Sequence, residues 1–220
     1  MVKFSLPPAG ALKPNNDVDP FKFYYRPVIG RVFAARLDTG LRLVEGRFKK
    51  LLEIGYGSGL LMPTLSRITD DLYGADLERE PAGLRDALAK LGVTPKQLVQ
   101  ADIRTLPFED GFFDGVVAFS ILEHLKQHEL DEAAREVARV LAPGGRFLVG
   151  CPAVHKAMNA AFAAIGFRDI EAHHFSSIDD VLSAFAPHFT VDRRATLPPG
   201  LQHAPLSWAP YSAVLLRKFW

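Results

Sequence analysis

Leu51–Gly59 reads LLEIGYGSG, an apolar run that ends in an acid, Glu53, and then carries glycine at every second position: Gly55, Gly57 and Gly59. Tyr56 and Ser58 fill the places between, and Leu60–Ile68 continues as an apolar segment. A strand, a tight glycine turn and a helix start account for this order of residues. Glycine takes positive φ without steric cost and lets another molecule come close to the backbone. The first turn of a helix adds unpaired N–H groups at a positive dipole end. The stretch is read as a binding turn, against the plainer alternative of a glycine turn that binds nothing. It departs from the dinucleotide fingerprint G-x-G-x-x-G, whose third glycine follows the second by three residues. Leu60 stands at that place here, and the glycine comes one position early.

The 220 residues suit one domain with short appendages and a substantial core. Lys and Arg total 26 against 25 acids, with no basic run, so no net field draws the chain to nucleic acid or to an anionic membrane. Cys151 is the only cysteine, which excludes an internal disulfide and a cysteine-built zinc site. The opening MVKFSLPPAGALKPNN is broken by prolines and lacks the apolar core of a signal peptide. No stretch approaches the roughly eighteen apolar residues that span a bilayer. A soluble cytoplasmic protein without nucleic-acid partners or integral membrane contact is expected.

Upstream of the turn, residues 1–19 read as an extended or mobile lead-in. Asp19-Pro20 has the form of an N-cap followed by proline at the first helical position. Phe21–Pro27 (FKFYYRP) is dense in aromatics, which suits core packing or a lid. Val28–Val44 is apolar at helical spacing through Val28, Val32, Ala35, Thr39 and Leu43. Residues 1–45 are therefore expected as a lead-in with a cap helix, ahead of a main domain at 46–220.

Downstream, Asp71–Asp76 reads as a strand ending in an acid, 17 residues beyond Gly59 and near the separation at which doubly wound folds place an acid for ribose hydroxyls. Pro81–Leu91 reads as a helix stopped by Gly92, with Leu84, Leu88 and Leu91 in one stripe. Gln97–Ala101 is a strand running into Asp102-Ile103. Phe113–Phe119 is another, left by Ser120–Leu125. Leu130, Ala134, Val137 and Leu141 mark a helix that Pro143-Gly144-Gly145 ends, before a fifth strand at Arg146–Cys151. Ser176–Ala186 reads as a helix, His188–Ala195 and Tyr211–Lys218 as strands, with a proline-rich connector between them. Five β/α alternations in about 100 residues argue for a parallel sheet covered on both faces. Ligands bind beyond the carboxyl ends of such strands, and Glu53, Asp76, Asp102 and Phe119–Ser120 all fall there.

Taken together, LLEIGYGSG, YGADL, QADIRTLPFEDGFFDGVVAFSILEHL and RVLAPGGRFLVGCP resemble the class I S-adenosylmethionine-dependent methyltransferases, in the small-molecule group often called type 11. The resemblance covers Lys50–Cys151. It implies a Rossmann-like, mostly parallel seven-stranded sheet in the order 3-2-1-4-5-7-6 with the last strand antiparallel, and S-adenosyl-L-methionine as cofactor. It implies that Gly55, Gly57 and Gly59, with Tyr56 and Ser58, form the floor beneath the methionine part, and that Glu53 acts near its amino group. Asp76 would hold the ribose hydroxyls with Leu77 against adenine, and Asp102 and Ile103 would bind the adenine edge. Phe119 and Ser120 would face the sulfonium end with His124 nearby. Tyr56 departs from the small or polar residue many members carry. No Asn-Pro-Pro-Tyr-like tetrapeptide follows the fourth strand, which disfavours a nucleobase or glutamine acceptor.

Methyl transfer from a sulfonium needs alignment and exclusion of water more than a base, so the lack of a triad does not count against an enzyme. His124 and His155, both beyond strand ends, are the candidate acid–base or substrate-contacting residues. His173-His174 is a further candidate contact, but a metal site there would need ligands that no spacing supplies, so none is expected. Glu123 reads as a first-turn acid favoured by a helix dipole rather than as a base, and Cys151 as a buried strand residue. Trp208 and Leu201 would line a site for a small-molecule acceptor or bury against a second subunit in a homodimer. The alternative function is a catalytically inactive cofactor-binding protein with a regulatory or assembly role; a Rossmann-type oxidoreductase is disfavoured by Leu60.

Overall fold

The computed structural model describes residues 2–16, 19–78, 80, 82–153, 174–201, 203 and 205–220. Its centre is a sheet of seven strands: β1 (Phe48–Ile54), β2 (Thr69–Asp76), β3 (Gln97–Gln100), β4 (Phe113–Phe119), β5 (Leu141–Pro152), β6 (Phe189–Leu197) and β7 (Tyr211–Lys218). They lie in the order β3-β2-β1-β4-β5-β7-β6, as the resemblance implied. β1 to β5 are parallel, and β7 runs antiparallel to both β5 and β6.

Period-two alternation sends neighbouring residues to opposite faces. Leu52, Ile54, Val116, Ala118, Phe147 and Val149 enter one core, and Leu51, Val117 and Leu148 enter the other. Helices α5 (Gln127–Val140) and α6 (Ile178–Phe185) cover the first face. Helices α1 (Phe21–Tyr24), α2 (Ile29–Leu41), α3 (Met62–Leu65) and α4 (Leu84–Lys90) cover the second. Ser177 caps α6, accepting the Asp180 N–H while Asp180 accepts the Ser177 N–H. Among the described residues, no helix is long and apolar enough to cross a membrane.

Three expectations are corrected. In α2 the buried face centres on Phe33, Leu37 and Leu41; Thr39 and Leu43 of the expected stripe are buried too, whereas Val28 and Val32 are 76% and 54% exposed. Two apolar registers compete on this helix, and the one carrying a phenyl ring and two leucines buries more area. α4 begins at Leu84 after Gly83 (φ +79°), later than expected; Pro81 lies outside the described residues. Leu141 opens β5 instead of closing α5, because it pairs with Phe113; the ladder then skips to Gly115 opposite Arg146, and Pro143-Gly144-Gly145 forms the irregularity between. The lead-in, read as extended or mobile, is held at several of its described residues. The Phe4 N–H donates to Asp38 Oδ1 at 2.7 Å, the Ser5 N–H to Thr64 Oγ1 at 3.1 Å, and the Tyr25 hydroxyl to the Pro7 carbonyl at 3.2 Å, while Leu12 is buried.

Candidate active site

The parallel strands end on one edge of the sheet: Ile54 beside Ala75 and Ala118, Asp76 beside Gln100, Phe119 beside Gly150. Because β7 is antiparallel, its first residue, Tyr211, pairs with Pro152 and arrives at this same edge. From Ile54 the chain enters the glycine turn, where Gly55, Gly57 and Gly59 have φ of +73°, +48° and +73°. Only glycine adopts three such angles in five residues without strain. A Cβ on Gly55 would lie 2.1 Å from Ile121 Cδ1, so the turn also packs directly under the loop after β4.

Asp76 anchors this turn. Its Oδ2 accepts the Gly57 N–H at 2.7 Å and its Oδ1 the Glu78 N–H at 2.8 Å. Each carboxylate oxygen accepts about two hydrogen bonds, so both keep capacity for a ligand. Burial raises the Asp76 pKa, opposed by these two backbone donors. Glu53 is buried beside it, with Oε2 lacking a hydrogen-bond partner among the described residues. Burial, followed by the nearby Asp76 charge, pushes its pKa well above the ordinary carboxylate value. Ser120 takes φ +56° and donates its N–H to the Gly150 carbonyl at 2.7 Å. A left-handed serine is uncommon and is held by its surroundings.

These residues line a cavity of about 360 Å³, whose wall contains Glu53, Gly55, Tyr56, Gly57, Ser58, Asp76, Glu78, Phe119, Ser120 and His124. The far wall comes from the N-terminal region: Asn15, Asn16, Asp19, Pro20, Tyr24 and Arg36. Asp19 Oδ1 accepts the Phe21 N–H at 2.9 Å and Oδ2 accepts the Asn15 N–H at 2.9 Å, which ties the lead-in to α1. The carboxylate lies opposite Gly57, 3.8 Å from where a Cβ would stand. Arg36 packs its guanidinium 4.0 Å from the centre of the Phe33 ring, and its buried Nε has no hydrogen-bond partner among the described residues. Four carboxyl groups (Asp19, Glu53, Asp76, Glu78) thus face one guanidinium across the cavity. Of the aromatic segment, Phe21 and Tyr24 pack in the core, and Tyr24 also lines the cavity.

Four of the candidate cofactor contacts, Gly59, Leu77, Ile103 and Asp102, stand outside the cavity wall. Leu77 follows Asp76 onto the surface and is 66% exposed. Ile103 is buried in the core beneath. The Asp102 carboxylate is gripped by Arg104, whose Nη2 lies 2.6 Å and Nε 3.0 Å from it, and this partner lowers its pKa. Leu77 and Asp102 nevertheless leave adjacent strands at the same edge, where the Ala101 N–H donates to the Asp76 carbonyl at 2.8 Å. His155 and His173 lie outside the described residues. Trp208, in a short 3₁₀ turn at Leu206–Trp208, is 70% exposed and does not line this cavity.

Glu123 is a correction. It sits in a 3₁₀ turn, Leu122–His124, which Leu125 and Lys126 separate from α5, and is 1% exposed. The first-turn acid of α5 is Glu129. Burial pushes the Glu123 carboxyl up to about 8, moderated by its own backbone and the Arg36 charge. Cys151 is buried as expected, and burial followed by the neighbouring Glu123 raises its thiol pKa well above the usual range. His174 meets His124 edge to face with ring centres 5.0 Å apart. One ligand atom each from Glu123, His124 and His174 lie within 4.8 Å of one another. Residue spacing had offered no such partners for His174; the fold supplies them.

The Glu53 environment predicts a pH effect. Its folded pKa exceeds the ordinary value of 4.5, so the folded state holds a proton that the unfolded chain has released. Stability contributed at this site is full below about 4.5 and is lost progressively as pH rises toward the folded pKa. Glu53→Gln should therefore flatten the decline of unfolding free energy with pH, measured by urea denaturation of the ligand-free protein at pH 5 and pH 8. An unchanged slope would show that Glu53 is not held protonated.

The methyltransferase-domain family model matches residues 52–149. Among known proteins, a 126-residue stretch is 36% identical to the ubiquinone/menaquinone biosynthesis C-methyltransferase UbiE of Pseudomonas entomophila (strain L48), covering 54% of this chain and 48% of that protein. A 100-residue stretch is 33% identical to the sterol 4-C-methyltransferase strm-1 of Caenorhabditis elegans, covering 44% of this chain and 29% of that one. The chain thus spans about half, or less, of the length of these relatives. Among solved structures, the N-methyltransferase NodS from Bradyrhizobium japonicum WM9, in complex with S-adenosyl-L-homocysteine, shares the fold with a TM-score of 0.64 at 19% identity, over 92% of this chain and 93% of that one. The glycine turn under an acid-walled cavity, the 3-2-1-4-5-7-6 sheet and the domain match agree: residues 52–149 are similar to the methyltransferase-domain family, and the chain has the fold that NodS shows.

Proposed function

We propose that this protein is a methyltransferase that uses S-adenosyl-L-methionine to methylate a small-molecule acceptor. The observation that carries the reading is the charge and hydrogen-bonding state of the cavity. Four carboxyl groups face one guanidinium, and Glu53 Oε2 and Arg36 Nε are buried polar atoms without partners among the described residues. Leaving such atoms unpaired costs about 1–3 kcal/mol each. A ligand with two cationic centres, one carboxylate and a diol matches this donor set, and the cavity volume lies in the range of small-molecule sites.

The fit assigns roles to the chain's own residues. Asp76, already oriented by the Gly57 and Glu78 N–H groups, accepts from the ribose hydroxyls. Glu53 and Asp19 stabilise the cationic amino end, and Arg36 takes the carboxylate. Leu77 and Asp102, on the open side between β2 and β3, are the adenine contacts. When bound, the cofactor supplies a methyl group on a sulfonium, activated for in-line displacement. The protein then has to align the acceptor and exclude water, which the N-terminal wall over the glycine turn accomplishes. His124, exposed on the cavity wall, is the residue that meets the acceptor. Residues 1–45 act as a cap on the domain at 46–220. A cytoplasmic setting accords with a lone, buried thiol that needs no oxidising compartment.

Calorimetric titration of the purified chain with S-adenosylmethionine, S-adenosylhomocysteine and NAD tests this. Binding on the order of micromolar for the first two and none for NAD is expected, in line with the partner-less polar groups waiting in the cavity. Absence of binding for both sulfur compounds would overturn the proposal.

A further inference from the structure

We propose that Glu123, His124 and His174 form a site for one divalent transition-metal ion at the edge of the methyl-transfer cavity. The three residues come from segments about fifty positions apart, and the backbone holds them together. The N–H groups of Phe175 and Ser176 donate to the Glu123 carbonyl at 2.7 and 3.2 Å, and the Ser176 hydroxyl donates to the Leu125 carbonyl at 2.6 Å. The returning segment 174–176 is thereby clamped to the 3₁₀ turn, which puts the His174 ring against that of His124.

Two observations independently favour an ion here. The first is the donor set. Two imidazoles and one carboxylate, each offering an atom within 4.8 Å of the others, form a three-ligand arrangement used by zinc and non-haem iron, with coordination positions left open. The second is Glu123 Oε2, buried to 1% exposure of its residue and without a hydrogen-bond partner among the described residues. A buried carboxyl oxygen without a partner is costly, and a cation beside it removes that cost.

His124 also lines the cavity, so the open positions face the space where the acceptor is placed. This part rests on the methyltransferase reading. An acceptor hydroxyl bound to the ion would lose its proton to water at neutral pH, as metal-bound water does, leaving an oxygen nucleophile in line with the methyl group. An oxygen-donor acceptor is the class that this site selects.

The test uses the full chain stripped with a chelator and titrated with Co²⁺, followed by visible absorption and equilibrium dialysis. Co²⁺ is then challenged with Zn²⁺. One equivalent of Co²⁺ with the absorption of nitrogen and oxygen coordination, displaced by Zn²⁺, is expected. Glu123→Gln and His174→Ala should each weaken binding by at least about tenfold, since even outer contacts to a metal ligand are worth that much. Thermal unfolding of each variant checks that it folds, and half-buried His174 keeps the test open should Glu123→Gln not fold. No ion bound by the parent chain, or equal affinity in a folded variant, would overturn the site. S-adenosylhomocysteine binding is measured in the same samples: its absence with Co²⁺ bound would count against the methyltransferase reading and leave the metal site standing.

Discussion

Asp76→Ala should lower the affinity for S-adenosylhomocysteine by at least about 100-fold, the larger of the two strongest effects expected. The carboxylate is committed on one side to the Gly57 and Glu78 N–H groups, at 2.7 and 2.8 Å, and offers its remaining lone pairs to the cavity. Hydrogen bonds to a charged group contribute about 1.5–3 kcal/mol each, so losing two to a diol removes roughly 3–6 kcal/mol, and 1.4 kcal/mol is a factor of ten. The fold itself should tolerate the change. Burial already disfavours the charged carboxylate, and relief of that burden offsets the two backbone donors left without a partner. Calorimetry with the variant checks the first point and thermal unfolding the second. Wild-type affinity in Asp76→Ala would show that the diol is not held there.

Gly30→Ala should destabilise the protein by about 3 kcal/mol, the upper part of the range for overpacked positions. For a chain of this length that is a fall in Tm of roughly 6–12 °C. Gly30 sits where α1 turns into α2, and its N–H donates to the Arg26 carbonyl at 2.7 Å. A Cβ there would meet the Tyr24 carbonyl oxygen at 2.2 Å and the Phe23 carbonyl oxygen at 3.2 Å. These are backbone atoms and have no rotamer by which to escape. α1 would have to move, carrying Pro20 and Tyr24 away from the cavity, so cofactor affinity should fall along with Tm. A Tm within a degree of the parent would show that α1 shifts freely and does not define the cavity wall.

Much of this fold was legible because the strands state their own ends. Phe113–Phe119 and Tyr211–Lys218 have the same limits in sequence and structure, since a buried strand is a mostly apolar run closed by polar residues or glycine. The glycine turn was legible for a different reason, as alternating glycines have few uses other than positive φ. What was not legible depended on contacts between distant segments. Val28 and Val32 fit a helical stripe as well as Phe33 and Leu37 do, and only the sheet beneath decides which stripe is buried. Arg36 and Tyr211 reach the cavity from α2 and from the start of β7. The expected sheet order contained the Tyr211 result, because an antiparallel last strand begins at the edge where parallel strands end. Nothing local marked Arg36, one of two arginines on its helix. Glu123 was misread for a related reason. A short 3₁₀ turn intervenes before α5, so the residue that looked like a helix-start acid is buried against Cys151.

The N-terminal wall has a thermodynamic consequence of its own. Asn15, Asn16 and Asp19 complete the cavity, yet they belong to a segment held by a handful of individual hydrogen bonds rather than by a sheet or a long helix. Its local opening and the occupancy of the cavity are therefore linked equilibria, because a ligand that touches this wall binds the docked form and not the lifted one. At a concentration 100 times its Kd, such a ligand adds about 2.7 kcal/mol to the docked state. That suppresses breathing of the segment by roughly 100-fold. Amide exchange at Phe4, Ser5 and Asn15 would then slow together when cofactor is added, and the first fifteen residues would report on occupancy of a site built around residue 57.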